Sequence, residues 1–185
     1  MTPEDQQALL KTARQAIEAG LARGQPDPSL DSPSAFLRAP GAAFVTLTRH
    51  GALRGCIGSL EPTRPLIEDV ARNAYAAAFR DPRFAPMTLE EWPQTRISLS
   101  ILGPHQALPP GDRAQLLAQL RPGVDGLVLE SGDGRRATFL PSVWAQLPEP
   151  ADFLDHLLVK AGLPMSADIR LLRTWRYQTR TIDED

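Results

Sequence analysis

A single cysteine, Cys56, and only two lysines, Lys11 and Lys160, stand among 185 residues. One thiol cannot close an intrachain disulfide, which fits a reducing compartment and an expected cytoplasmic location. No apolar run approaches the ~18 residues that suggest a membrane span. The opening Met1-Thr2-Pro3-Glu4-Asp5 is acidic where a secretory signal is basic. The chain has no CxxC, no HxxxH and no Asp-rich loop of calcium-site spacing, so no metal site is expected. It also lacks a strand–GxGxxG–helix unit and a GxxxxGK[ST] loop, so nothing supports a dinucleotide or P-loop reading, and no residue pattern names a cofactor. The formal net charge of −2 gives no global field for nucleic acid or anionic membrane, although four arginines fall between residues 170 and 180.

The chain length fits one domain, or two small subdomains sharing a core. The 42% hydrophobic and 23% charged content is that of an ordinary globular protein. Residues 3–22 read as an amphipathic helix capped by Thr2, with Pro3 in its first turn and Asp5 completing a capping box. Gln25 to Pro40 is rich in proline and serine, a loop in which Asp31 and Ser32 are placed to open a short turn through Leu37. Residues 42–49 alternate as a strand, His50-Gly51 turns, and a second strand returns through Leu60. An alanine-rich helix from Leu66 is stopped by Asp81-Pro82. A strand over 95–102, a helix capped by Asp112, a hairpin around Gly132-Asp133-Gly134, a helix over 151–161 and a strand over 169–177 complete the series. Asp183-Glu184-Asp185 reads as a frayed acidic tail. Hairpins interleaved with helices give an α+β class with mostly antiparallel sheets flanked by helices.

The most unusual stretch is Leu53-Arg54-Gly55-Cys56-Ile57-Gly58. On an unbroken strand Leu53 and Ile57 share one face, and Arg54 and Cys56 the other. Gly55 and Gly58 are poor strand formers, which signals close backbone approach, a bulge or a bend. A thiol near pKa 8.5 is ~7% ionised at pH 7.4, and lowering it by two units requires ~2.7 kcal/mol of preferential stabilisation of the anion. Arg54 is the nearest cation to supply part of that. His50, His105 and His156 are the histidines available as a base, and none stands in a local pattern that pairs it with Cys56. Asp81 and Arg83 in Asp81-Pro82-Arg83-Phe84 read either as a helix stop or as a charged pair beside the thiol.

The sequences LRGCIG at 53–58 and FRDPRF at 79–84, with Gly126-Leu127, Leu140-Pro141 and Lys160-Ala161-Gly162-Leu163, make the chain resemble the AMMECR family. Its prokaryotic members are also called AmmeMemoRadiSam system protein A. The resemblance runs from the first helix to the last strand. It implies an α+β fold of two subdomains with a cleft between them, and a functional site at Leu53, Arg54, Gly55, Cys56, Ile57 and Gly58. It also implies association with Memo-type and radical SAM proteins, and no particular reaction. Two function readings follow. One is an enzyme or enzyme component using Cys56 and Arg54 on a small anionic ligand, with Asp81 and Arg83 at the same rim. The other is a non-catalytic binding or adaptor module shaped by the same strand.

Overall fold

The computed structural model describes residues 1–23, 34–109 and 111–184. In chain order the elements are helices α1 (Pro3–Arg23) and α2 (Ala35–Arg38), strands β1 (Pro40–Gly41), β2 (Ala43–Arg49), β3 (Ala52–Gly58) and β4 (Arg64–Pro65), then helix α3 (Leu66–Phe79). Strands β5 (Thr95–Leu102) and β6 (Gln106–Ala107), helix α4 (Arg113–Gln119), and strands β7 (Gly126–Glu130) and β8 (Arg136–Phe139) follow. Helix α5 (Pro150–Lys160) and strands β9 (Arg173–Tyr177) and β10 (Thr179–Asp183) end the chain. Two compact units result, residues 1–102 with 180–185, and residues 103–179. The class is α+β, with antiparallel sheets as the hairpin pattern predicts.

In the first unit the sheet order is β10-β5-β2-β3. Alternation in β2 sends Ala43, Val45 and Leu47 into the core, where Leu9, Ala13 and Ile17 of α1, Val70 and Ala74 of α3, and Leu99 of β5 meet them. The capping box at the start of α1 is present: Thr2 N–H donates to Asp5 Oδ2 at 2.8 Å and Asp5 N–H to Thr2 Oγ1 at 3.3 Å. These bonds satisfy amides that the first helical turn leaves without intrahelical acceptors. Asp31 and Ser32 lie outside the described residues. The short turn before β1 is capped by Ser34, whose Oγ accepts from Leu37 N–H at 3.2 Å.

The second unit packs α5 on the sheet β6-β9-β7-β8. Its core joins Leu127 and Leu129 to Phe153, Leu154, Leu157 and Leu158. Trp144 stacks on Phe153 with ring centroids 3.8 Å apart, and its Nε1 donates to Asp125 O at 2.6 Å. An indole can be buried this deeply because its one donor finds an acceptor.

Three expectations change. The strand expected to reach Leu60 ends at Gly58. The strand expected from Ile169 begins at Arg173, because Asp168 caps a short 3-10 turn over Ile169–Leu171. The acidic tail is not frayed at Asp183 and Glu184: Asp183 lies in β10, and Glu184 accepts the Arg14 fork and the Ile97 N–H.

Candidate functional site

Hairpin β2–β3 turns at His50 (φ 51°) and Gly51 (φ 78°), the left-handed pair that a two-residue turn between twisted strands requires. Past the turn the register breaks once. Thr48 pairs with Leu53 and Leu47 with Gly55, so Arg54 is the extra residue of a β-bulge. The break overturns the expected face assignment. Leu53 opposite Thr48 and Cys56 opposite Thr46 now share the outer face, and Leu53 is exposed. Ile57, opposite Val45, packs on the core. The two glycines have separate reasons. A Cβ on Gly55 would stand 2.1 Å from Ala77 O of α3, and one on Gly58 would stand 2.2 Å from the ring of Phe44.

Arg54, released from strand alternation by the bulge, is 8% exposed. Its Nε donates to Glu91 Oε1 at 2.9 Å, and its Nη2 donates to Glu91 Oε2 at 2.8 Å and Ala85 O at 2.9 Å. Its guanidinium also lies 5.7 Å from the centre of the Phe84 ring. Glu91 takes further bonds from Arg49 and from Thr88 N–H. The Arg54 fork, ahead of these, holds the Glu91 carboxyl down at about 2, against a burial that opposes ionisation.

Cys56 sits on the outermost strand of its sheet, where backbone groups face away from the ladder. Its N–H donates to Asp81 Oδ2 at 2.8 Å, and its carbonyl accepts from Arg83 Nη2 at 3.3 Å. Asp81 and Arg83 are also locked to each other, Nε to Oδ1 at 2.9 Å and Nη2 to Oδ2 at 2.7 Å. The Asp-Pro-Arg turn thus caps the strand edge at one residue. The guanidinium, with the Cys56 N–H behind it, keeps the Asp81 carboxyl far below the usual carboxylate range, and Asp81 in turn raises Arg83. The thiol itself is half-buried and makes one hydrogen-bonding contact, Sγ to Thr46 Oγ1 at 3.3 Å.

The sequence-predicted residues therefore fall into one neighbourhood of the first unit with a division among them. Asp81 and Arg83 reach Cys56 through its backbone, while Arg54 turns to Glu91. The histidines have other partners. His50 Nε2 lies 2.9 Å from Gln94 Oε1, His156 Nδ1 lies 2.9 Å from Asp152 O, and His105 packs 5.2 Å from Tyr177 between ring centres. Of the four arginines between 170 and 180, Arg170 and Arg173 pair with the carboxylates of Asp168 and Glu130, and Arg176 and Arg180 donate to the carbonyls of Gln119 and Met1. Among the described residues no cluster of His, Cys, Asp and Glu is arranged to hold a metal ion.

Sequence reasoning missed Glu91, Thr46 and a buried network on α3. Asp69 is fully buried and accepts from Ala43 N–H at 3.0 Å, Ser59 Oγ at 2.7 Å, Arg64 Nη1 at 2.8 Å and Asn73 Nδ2 at 2.9 Å. A signal for it existed: Asp69 and Asn73 fall one turn apart within the apolar stripe of α3, where a polar residue requires a partner.

Asp81→Ala is expected to lower the free energy of unfolding by about 2 kcal/mol, because it removes the charged acceptor of the half-buried Cys56 N–H. The Arg83 partner adds little to that figure, since its side chain is 53% exposed and rehydrates when released. A urea midpoint unchanged within error would contradict this bracing role. Because the folded carboxyl titrates below its unfolded value, the contribution is present above ~pH 3.9 and is lost as the pH falls below it.

The AMMECR1 family model matches residues 10–182. A protein of Methanothermobacter thermautotrophicus is 38% identical, across 100% of this chain and 97% of its own length. Protein MJ0810 of Methanocaldococcus jannaschii is 35% identical, across 100% of this chain and 92% of its own. Among solved structures, the uncharacterized protein PH0010 from Pyrococcus horikoshii superposes with a TM-score of 0.91 at 31% identity, covering 100% of this chain and 94% of that one.

Proposed function

The chain belongs to the AMMECR1 family, and on that premise we propose that it is a binding or adaptor module whose recognition element is the braced strand Leu53–Gly58. One observation carries this reading: the charged residues around Cys56 hydrogen-bond the backbone of its strand, and the hydrogen-bonding contact of its sulfur is to a hydroxyl, with the Arg83 guanidinium acting on it only through space. A thiolate lowered by two units requires ~2.7 kcal/mol from its surroundings. The cation expected to supply it, Arg54, is committed to Glu91. In this reading Leu53 and Arg83, both open to solvent, make direct contacts, while Gly55, Ile57, Gly58 and Asp81 fix the strand that presents them. The partners are those the family resemblance implies, a Memo-type protein and a radical SAM protein on separate chains. No helix among the described residues is long and apolar enough to cross a membrane. With a single cysteine in the sequence, we assign the module to the cytoplasm.

A second reading rests on the half-exposed thiol beside Thr46, which keeps open an enzyme or enzyme component acting on a small anion through Cys56. The pH dependence of Cys56 alkylation in the folded protein separates the two. The binding reading expects slow modification at neutral pH. Fast modification at that pH favours the enzyme reading. Cys56→Ser is expected to leave capture of the Memo-type protein largely intact, whereas Leu53→Asp abolishes it; retention by Leu53→Asp would remove the strand as the recognition element.

A further inference from the structure

Among the described residues, most basic side chains are engaged within the molecule. Arg14, Arg49, Arg64, Arg72, Arg113 and Arg121, like the residues of the Cys56 neighbourhood, each hold a carboxylate of the same chain. Among the described basic side chains, Lys11 of α1 and Arg96 of β5 are the two that make no hydrogen bond, ion pair or ring contact. Both line the same groove of about 800 Å³, between the first turns of α1 and the strands β5 and β10. This groove is at the opposite edge of the four-stranded sheet from β3.

The other charges of the groove are Glu4, Arg14, Asp183 and Glu184. Arg14 and Glu184 neutralise each other, with Arg14 Nη2 3.0 Å from Glu184 Oε2. The pair is anchored on both sides, because Glu184 accepts the Ile97 N–H at 2.9 Å and Arg14 lies 4.7 Å over the Trp92 ring. It therefore forms a fixed wall. Glu4 is held ionised, its carboxyl lowered first by the Thr2 side chain. Lys11 and Arg96 thus face Glu4 and Asp183 within one groove, and neither cation forms an ion pair with either anion. Its volume falls within the range of about 300–1,000 Å³ typical of small-molecule sites. These two cations and two anions are exposed to solvent, and a ligand that carries both signs would complement them together.

We propose that this groove binds a small zwitterion that joins carboxylate groups to an ammonium, with Lys11 and Arg96 taking the carboxylates and Glu4 and Asp183 the ammonium. A guanidinium fork suits a carboxylate, and the compact lysine head adds a second point of charge. The site is open to solvent, so affinity is weak and falls with added salt.

The test is a two-dimensional amide NMR titration of the full chain at low ionic strength with L-glutamate, and in parallel with glutarate, which lacks only the amine. L-glutamate is expected to give saturable shifts at residues 4–14, at Arg96 and at 183–184. The amine adds an exposed ion pair, so it is expected to bind about threefold tighter than glutarate. Lys11→Met and Arg96→Met, both exposed substitutions that leave the rest of the spectrum in place, weaken both ligands about fivefold or more. Glu4→Gln narrows the gap between the two ligands. Equal binding of glutamate and glutarate overturns the zwitterion assignment. Absence of saturable shifts with either ligand, or shifts that survive Lys11→Met and Arg96→Met unchanged, overturns the site. None of these readouts depends on Cys56 or on a partner protein.

Discussion

Glu91→Ala is expected to lower the unfolding free energy by about 3–5 kcal/mol, the cost of leaving a buried charge without its counterion. The Arg54 side chain is 10% exposed, and its Nη1 already lacks a hydrogen-bond partner. Removing Glu91 takes the acceptors from Nε and from one of the two bonds of Nη2, leaving Ala85 O alone. Urea unfolding measures the loss, and a double substitution separates its parts. Arg54→Met with Glu91→Leu replaces both charges by apolar groups of similar size and is expected to recover more than half of the lost stability. If the double variant is as unstable as Glu91→Ala alone, the cost lies in Arg49 and Thr88, which also bond Glu91, and not in Arg54.

The same pair has a pH signature. Glu91 titrates at about 2 when folded, against an unfolded value of ~4.3. A depressed folded value means that the unfolded state binds the proton first. The contribution is therefore full above ~pH 4.3 and is lost as the pH falls toward about 2. Glu91→Gln should flatten the stability profile across that window; a profile as steep as that of the unsubstituted protein would show that other carboxylates dominate it.

That pair also marks the boundary of what the sequence discloses. The α1 capping box, the His50-Gly51 hairpin and the apolar stripe of α5 are local, each set by residues within about a turn of one another, and each is legible before any coordinates. The bulge at Arg54 is not. Register is specified by what lies across the strand and behind it, and a one-residue slip moves every later side chain to the other face. The two glycines announced an irregularity, but nothing within 53–58 states that Arg54 is the residue set aside. Its acceptor, Glu91, is 37 positions away, so local sequence alone offers the guanidinium to the thiol. Asp81 and Arg83 read from sequence either as a helix stop or as a charged pair beside the thiol; in the structure both reach Cys56 through its peptide, which side-chain reasoning does not weigh. Glu184 failed for a related reason: its partners Arg14 and Ile97 lie 170 and 87 positions away.

Gly55→Ala is expected to be the most damaging single methyl added to this protein. The new Cβ would stand 2.1 Å from Ala77 O and 3.0 Å from its carbonyl carbon, so it collides with helix backbone and not with a side chain that can rotate. Overpacking typically costs about 1–3 kcal/mol, and more where nothing yields; here the helix itself must lift from the sheet. Two other glycines supply the comparison. Gly51→Ala has open space around it and a φ of +78°, so it pays only backbone strain of about 1–2 kcal/mol. Gly58→Ala meets the Phe44 ring at 2.2 Å, a side chain, and Phe44→Ala should relieve it. No truncation relieves Gly55, because every residue at position 77 carries the same carbonyl. The expected order of destabilisation is Gly55 first and Gly51 last, measured by thermal or urea unfolding. If Gly55→Ala costs no more than Gly51→Ala, α3 does not set the register of β3. Because that register holds Arg54 in the bulge and turns Cys56 toward Thr46, Gly55→Ala should also change the alkylation rate of Cys56 under native conditions, before global unfolding begins.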